Sequence, residues 1–400
     1  MTIMTAQPEN PQAQAPAPRC RILVVGVGGG ACNVVSRALA GWNDAPLVAG
    51  INTDAPGLAQ SDVALKLAIG KNVTKGMGTG GDVEVGRLAA SEDLDALRNL
   101  VAGHDLLLLV AGLGGGTATG AAPVLARVAR EEGLLVLAYV TLPFAFEGAR
   151  RQEQAQEGLV TLKRNADAVV CLPNQRLHSL LPPDTSLPDA FAFVDRMMVA
   201  GIRGLWTLLA QNNMLNLDFS DVQTLVENSG NECCFGYGEG AGAGKTEQAL
   251  QSLLAGPMLD KGRVLANSGA MILGVIGGPD LSLAELSTIH ERFTAASRPG
   301  ARISLGAAVL DDWPGRLALI VLAVEHWLPP PKPGALVIEA GHTGPSAEPA
   351  GRRRAGRGQS ELPLAPAPDR GRFQNVSPTL HDGADLDIPT YIRRNIRIPT

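Results

Sequence analysis

Aromatic residues make up 4% of the 400-residue chain, cysteines number five and histidines six, and each scarcity closes a class of function. An odd number of cysteines without paired spacing argues against a disulfide framework. No H-x-x-x-H or Cys/His cluster exists to build a zinc site. No apolar run approaches the ~20 residues of a membrane span, and the run at 317–324 is only strand length. The amino terminus lacks a charged-then-apolar signal pattern, so a cytoplasmic protein without direct membrane insertion is expected. The net charge of -5 gives no general affinity for nucleic acid.

Glycine, in contrast, is abundant at 47 residues and concentrated in loops. The densest stretch is Gly112-Leu-Gly-Gly-Gly-Thr-Ala-Thr-Gly120, comprising Gly114, Gly115, Gly116, Thr117, Ala118, Thr119 and Gly120 after its first two residues. It follows the buried-strand pattern at 105–111 and precedes a helical pattern at 121–132 that ends near Gly133. Strand, glycine loop and helix N-terminus together make an anion site, because crowded backbone N–H groups and the helix dipole both favour a phosphate. A tight turn built from small residues is the plainer alternative, and it leaves the two threonines without purpose.

A first glycine loop, Gly26-Val-Gly-Gly-Gly-Ala-Cys-Asn33, follows the strand-like residues 21–25. Its Gly26-x-Gly28-x-x-Ala31 satisfies the dinucleotide fingerprint, with Asp54 near the place of a ribose-binding acid. An NAD-dependent oxidoreductase therefore remains a competing reading. The loop at 112–120 is foreign to that fingerprint, as is the third cluster, Lys75-Gly-Met-Gly-Thr-Gly-Gly81. Three such loops suit a mononucleotide triphosphate held from several sides. Gly240-Ala-Gly-Ala-Gly-Lys-Thr246 imitates a Walker A loop, but Glu239 occupies its first glycine position and no strong apolar strand precedes it. It reads as a surface turn.

Repeated strand–helix units through residue 172 predict a parallel sheet covered on both faces. Apolar residues at helical spacing over 187–209 predict a long central helix, and the strand-like runs 270–276 and 317–324 a second α/β domain. Ser282 is expected to start a helix over 283–296. The expected organisation is a disordered tail at 1–18, a nucleotide-binding domain at 19–186, the central helix at 187–210 and an α/β domain at 211–328. A Pro-, Gly- and Arg-rich linker follows at 329–384, and then a short apolar and basic peptide at 385–400.

The loop at 112–120 resembles the signature G-G-G-T-G-T-G of the tubulin/FtsZ family, with Ala118 in place of the middle glycine. The resemblance runs from Ile22 to Val324 and resumes at the C-terminal peptide. It rests on an ordered set: Gly28-Gly-Gly30 with Asn33, Asn52-Thr-Asp-Ala55, Glu84-Val-Gly-Arg87, Pro143-Phe-x-Phe-Glu-Gly148, Pro173-Asn174, Asn216-Leu-Asp-Phe-Ser-Asp-Val222 and Gly277-Gly-Pro-Asp-Leu-Ser-Leu283. It departs at Gln175, Asn212-Asn213, 232–245, 313–316 and 325–327.

What the resemblance implies is a tubulin-like GTPase domain joined by the central helix to a smaller α/β domain. Gly28, Gly29, Gly30 and Gly114 to Gly116 would approach phosphate oxygens, and Thr117 and Thr119 would donate hydroxyls. Glu147 would hold the ribose with Arg151 nearby. Asn33, Asn174 and Asp195 would read guanine and Phe191 would stack on it. Asn216, Asp218 and Asp221 would complete GTP hydrolysis in the next subunit of a head-to-tail filament, with Mg²⁺ on the phosphates. The implied role is the bacterial cytokinetic ring at mid-cell, or a GTP-binding scaffold with little hydrolysis. Leu386, Ile388, Pro389, Tyr391, Ile392, Arg393 and Arg394 would dock on membrane-anchoring division proteins such as FtsA.

Overall fold

The computed structural model describes residues 20–39, 45–178, 181–182, 184–210, 214–227, 229–260, 262–324, 380–381 and 384–385. The expected tails, the doublet 212–213 and nearly all of the linker and C-terminal peptide lie outside the described residues. Within 380–385, Leu380–His381 and Ala384–Asp385 form a two-residue antiparallel pair belonging to a separate unit.

The strands are β1 (Ile22–Val27), β2 (Leu47–Asn52), β3 (Leu65–Ala68), β4 (Leu106–Gly112), β5 (Leu135–Leu142), β6 (Ala168–Pro173), β7 (Asn231–Ala241), β8 (Ala270–Gly277), β9 (Arg302–Val309) and β10 (Arg316–Val324). They form one sheet in the order β3-β2-β1-β4-β5-β6-β7-β10-β8-β9. The first seven pair parallel with one another, β10 runs antiparallel between β7 and β8, and β9 pairs parallel with β8 at the edge. Continuous pairing through β6 and β7 carries the sheet from the first half of the chain into the second.

Alternation explains why the strands are apolar throughout. In β4, Leu106, Leu108 and Val110 point into one core and Leu107, Leu109 and Ala111 into the other. Side chains two apart share a face, so a strand buried on both sides has no polar positions.

The helices are α1 (Gly29–Leu39), α2 (Ala55–Ala59), α3 (Lys71–Thr74), α4 (Val83–Glu92), α5 (Leu94–Val101), α6 (Gly116–Glu131), α7 (Ala149–Asn165), α8 (Asn174–His178), α9 (Leu187–Ala210), α10 (Phe219–Glu227), α11 (Lys245–Ala255), α12 (Arg263–Asn267) and α13 (Leu283–Ala296). Buried residues of α1, α9 and α10 join one core, and those of α4 to α7 the other. The long helix expected over 187–209 is α9. Its stripe Ala190, Val194, Met198, Ile202, Leu205 and Leu209 is buried, at the 3-to-4 spacing that turns one helical face inward. Gly201 and Gly204 bring it close to the sheet, for a Cβ on Gly204 would meet Ile320 Cδ1 at 1.7 Å. Ser282 starts α13 in a capping box with Glu285.

Two expectations change. The helix after the first glycine loop begins at Gly29, inside the loop, five residues before the apolar pattern that suggested it. The Walker-like stretch is a true strand–loop–helix, running from β7 into α11. Its Lys245 is not exposed. It is 6% accessible and its ammonium is bonded to Asp280, with Glu285 at 3.5 Å. With two carboxylates on it, this lysine ties α11 to the β8–α13 loop and offers nothing to a phosphate.

Candidate nucleotide-binding site

The chain leaves β1 toward β2 and β3 on one side of the sheet, and β4 toward β5 and β6 on the other. The order therefore reverses between β1 and β4, and a crevice opens beyond the carboxyl ends of these strands, where α/β sheets bind ligands. A cavity of ≈ 320 Å³ lies there. The loop after β1 contributes Gly28, Gly29 and Gly30. The loop after β4 contributes Gly114, Gly115, Gly116, Thr117 and Ala118.

Helices α1 and α6 start in these two loops, so both N-termini meet the cavity. The first backbone N–H groups of a helix have no intrahelical acceptor, and α6 follows Gly115 with no side-chain cap hydrogen bond. Gly28 (φ +86°) and Gly114 (φ +100°) hold left-handed backbone, which L side chains resist. Ala118, the departure from the family signature, is buried, with its Cβ 3.2 Å from the place a Cβ on Gly28 would occupy. It packs the two loops together. Across the cradle, the Thr117 and Thr53 hydroxyls are 2.6 Å apart.

At the other end of the cavity lie Glu147, Arg151, Asn174, Phe191 and Asp195. The Glu147 carboxylate accepts from the Phe144 N–H at 2.8 Å and from Arg151 at 2.7 Å. Phe191, half-exposed, meets Phe144 edge to face at 5.3 Å, leaving a ring face for a stacking partner. Asp195 is bonded to Arg37, a contact spanning 158 residues of sequence. Burial pushes the Asp195 carboxyl above its usual range, opposed by Arg37 and then Arg196. Asn174 is 5% accessible, and among the described residues its Oδ1 has no hydrogen-bond partner. An orphaned buried acceptor costs about 1–3 kcal/mol, and a ligand N–H would satisfy it. Gln175, another departure, accepts from the Ala145 N–H at 3.2 Å and braces the loop that carries Glu147.

Not every expected residue reaches the cavity. Asn33 is exposed on α1 and outside the lining. Thr119 is buried, and its Oγ1 accepts from the Gly114 N–H at 2.9 Å, so its hydroxyl braces the loop from within. Gly120 touches α4: a Cβ there would meet Val83 O at 2.2 Å. It permits close helix packing. Asn216, Asp218 and Asp221 are likewise absent from the lining. They lie in the segment preceding and opening α10, held on the edge strand β9 by the bridge from Leu215 to Ala307.

Sequence reasoning missed Thr79, Thr141 and Met198, which line the cavity, and Arg37. Thr79 had a signal in the third glycine cluster, which closes over α6, bringing the Thr79 Oγ1 2.3 Å from the position of a Cβ on Gly116. No local pattern marked the others.

Comparison with known proteins agrees with this geometry. Residues 21–182 match the tubulin/FtsZ family GTPase domain and residues 232–325 the FtsZ family C-terminal domain. FtsZ from M. jannaschii, solved as an empty dimer, is 31% identical, with 76% of this chain and 88% of that chain covered at a TM-score of 0.72. CetZ2 from Haloferax volcanii, solved as a GTPγS-bound protofilament, is 26% identical, with 77% and 94% covered at 0.63. The oxidoreductase alternative falls with these matches. No described helix is long and apolar enough to cross a membrane. Residues 21–182 are thus a GTPase domain, and the chain belongs to the FtsZ family.

Proposed function

We propose that this protein assembles head to tail into filaments of the bacterial cytokinetic ring, each subunit's GTP being hydrolysed with help from the next. One observation carries the second half of this reading. Among the described residues only two carboxylates line the cavity, Glu147 and Asp195, and both are engaged by arginines. The cavity can hold a triphosphate, but it has no acid free to orient water. Asn216, Asp218 and Asp221 form a polar group on a different part of the chain, where Met214 and Leu215 are exposed apolar neighbours suited to contact with a second copy. A heterologous contact between unlike faces that does not close generates an open filament. The M. jannaschii relative solved as a dimer and the Haloferax relative solved as a protofilament support this geometry.

Within one pocket, the glycine-loop amides and Thr117 would take the phosphates and Glu147 the ribose. Asn174 and Asp195 would pair with guanine, whose adjacent ring N–H and 2-amino group form a donor pair that adenine lacks. Among the described residues no group of three or more His, Cys, Asp or Glu is placed to hold a metal. The hydroxyl oxygen of Thr117 at the cavity wall suits Mg²⁺ bound chiefly through phosphates and water. The ion would offset phosphate charge. The peptide at 385–400 would tether the filament to a membrane anchor such as FtsA, at mid-cell.

The test is Asp218→Ala: nucleotide affinity and GTP-dependent sedimentation should persist while turnover collapses by about two decades or more. Normal turnover in that variant removes the shared-site reading. Wild-type protein that sediments with GTP yet hardly turns over supports the scaffold alternative instead.

A further inference from the structure

Asp221 is held by a contact that belongs to no role assigned so far. Its Oδ1 accepts from the Ser304 hydroxyl at 3.1 Å and lies 3.4 Å from the Arg302 guanidinium. Both partners stand on β9, at the end of the strand where Arg302 opposes Ala270 of β8. The same strand fixes the start of the segment through mutual backbone hydrogen bonds between Leu215 and Ala307, at 3.2 and 2.9 Å. The segment carrying Asn216, Asp218 and Asp221 is therefore pinned to the sheet edge at both ends, by backbone at one and by side chains at the other.

The distribution of contacts over the carboxylate is informative. Both side-chain donors reach Oδ1, and among the described residues none reaches Oδ2. The Asp221 side chain is 27% exposed and that of Arg302 53%. One oxygen is tethered and the other is left open. A group that must orient water in another subunit gains from this arrangement, because misplacement by about 1 Å costs about two decades in rate.

We infer that Arg302 and Ser304 are positioning residues for Asp221, fixing one carboxylate oxygen so that the other faces the neighbouring subunit's nucleotide. The inference rests on the shared-site reading above. Neither residue lines the nucleotide cavity, so their removal should change turnover and leave nucleotide binding alone.

The experiment measures kcat, GTP affinity and the sedimentation threshold for Arg302→Ala, Arg302→Lys, Ser304→Ala, Asp221→Asn and the double variant Asp221→Asn/Arg302→Ala, all in the full chain. Arg302→Ala should lower kcat about tenfold at unchanged affinity and threshold, and Arg302→Lys should recover much of it. The double variant should be no slower than Asp221→Asn alone, because Arg302 acts through that carboxylate. A merely structural Arg302 would give additive losses, and that result overturns the inference. So does unchanged or faster turnover in both Arg302→Ala and Ser304→Ala while Asp221→Asn is slow. Full turnover in Asp221→Asn would instead defeat the shared-site reading beneath it.

Discussion

Replacing Asn174 by leucine should move stability and binding in opposite directions. Among the described residues its buried Oδ1 has no partner, so the fold bears the cost of desolvating that acceptor, about 1–3 kcal/mol. An apolar side chain removes this cost, and nucleotide-free Asn174→Leu should melt no lower than wild type. The proposed guanine complex is the converse case: the guanine N–H would lose its acceptor at about the same 1–3 kcal/mol, or about one to two decades of affinity. Calorimetric titration with GDP reads the affinity directly. A thermal melt gives an independent check, since ligand at about 100 times Kd stabilises by about 2.7 kcal/mol and a tenfold weaker ligand by about half of that. Wild-type GDP affinity in Asn174→Leu, or a free fold that melts well below wild type, would refute the reasoning.

Three further outcomes are expected, two of them from named contacts. Gly120→Ala places a methyl 2.2 Å from Val83 O and should force α4 from α6, costing about 1–3 kcal/mol in denaturant unfolding, with GTP affinity falling as the phosphate loop shifts. The Arg21 side chain, helped by its backbone N–H, holds the Asp105 carboxyl below its usual 3.8. That contribution is complete above 3.8 and is lost as pH falls through the depressed value, so Asp105→Asn should flatten the acid limb of the melting curve; the effect is small because both side chains are more than a third exposed. Deleting residues 385–400 should leave turnover and sedimentation intact and abolish recruitment to vesicles carrying the anchor protein, as flotation would show.

How far the sequence could be read depended on range. The loop at 112–120 declared itself because an apolar strand, glycines and a helix lie within one short stretch. The same holds for α9, whose spacing is regular, and for Ser282, whose capping partner is three residues away. Strands β7 and β9 were missed for a physical reason. The first, Asn231-Glu-Cys-Cys-Phe-Gly-Tyr-Gly-Glu-Gly-Ala241, alternates small and polar residues because its glycines admit α11, where a Cβ on Gly238 would meet Ala249 O at 2.2 Å. The second, Arg302-Ile-Ser-Leu-Gly-Ala-Ala-Val309, carries small residues where Leu217 and Leu208 press on Gly306. Both are shaped by partners far away in sequence. Arg37 on Asp195 and Arg302 on Asp221 span 158 and 81 residues, and no local pattern announces such pairs. Thr119 and Gly120 sit in the signature yet face away from the cavity, so a motif can mix groups that meet a ligand with groups that only shape the loop.

The central claim is that one chain holds a nucleotide site whose catalytic carboxylates belong to the next. Specific GTPase activity measured against protein concentration tests it most directly. Activity per subunit should be near zero at low concentration and rise steeply at the concentration where sedimentable filaments appear. A specific activity that stays constant down through that threshold would contradict it.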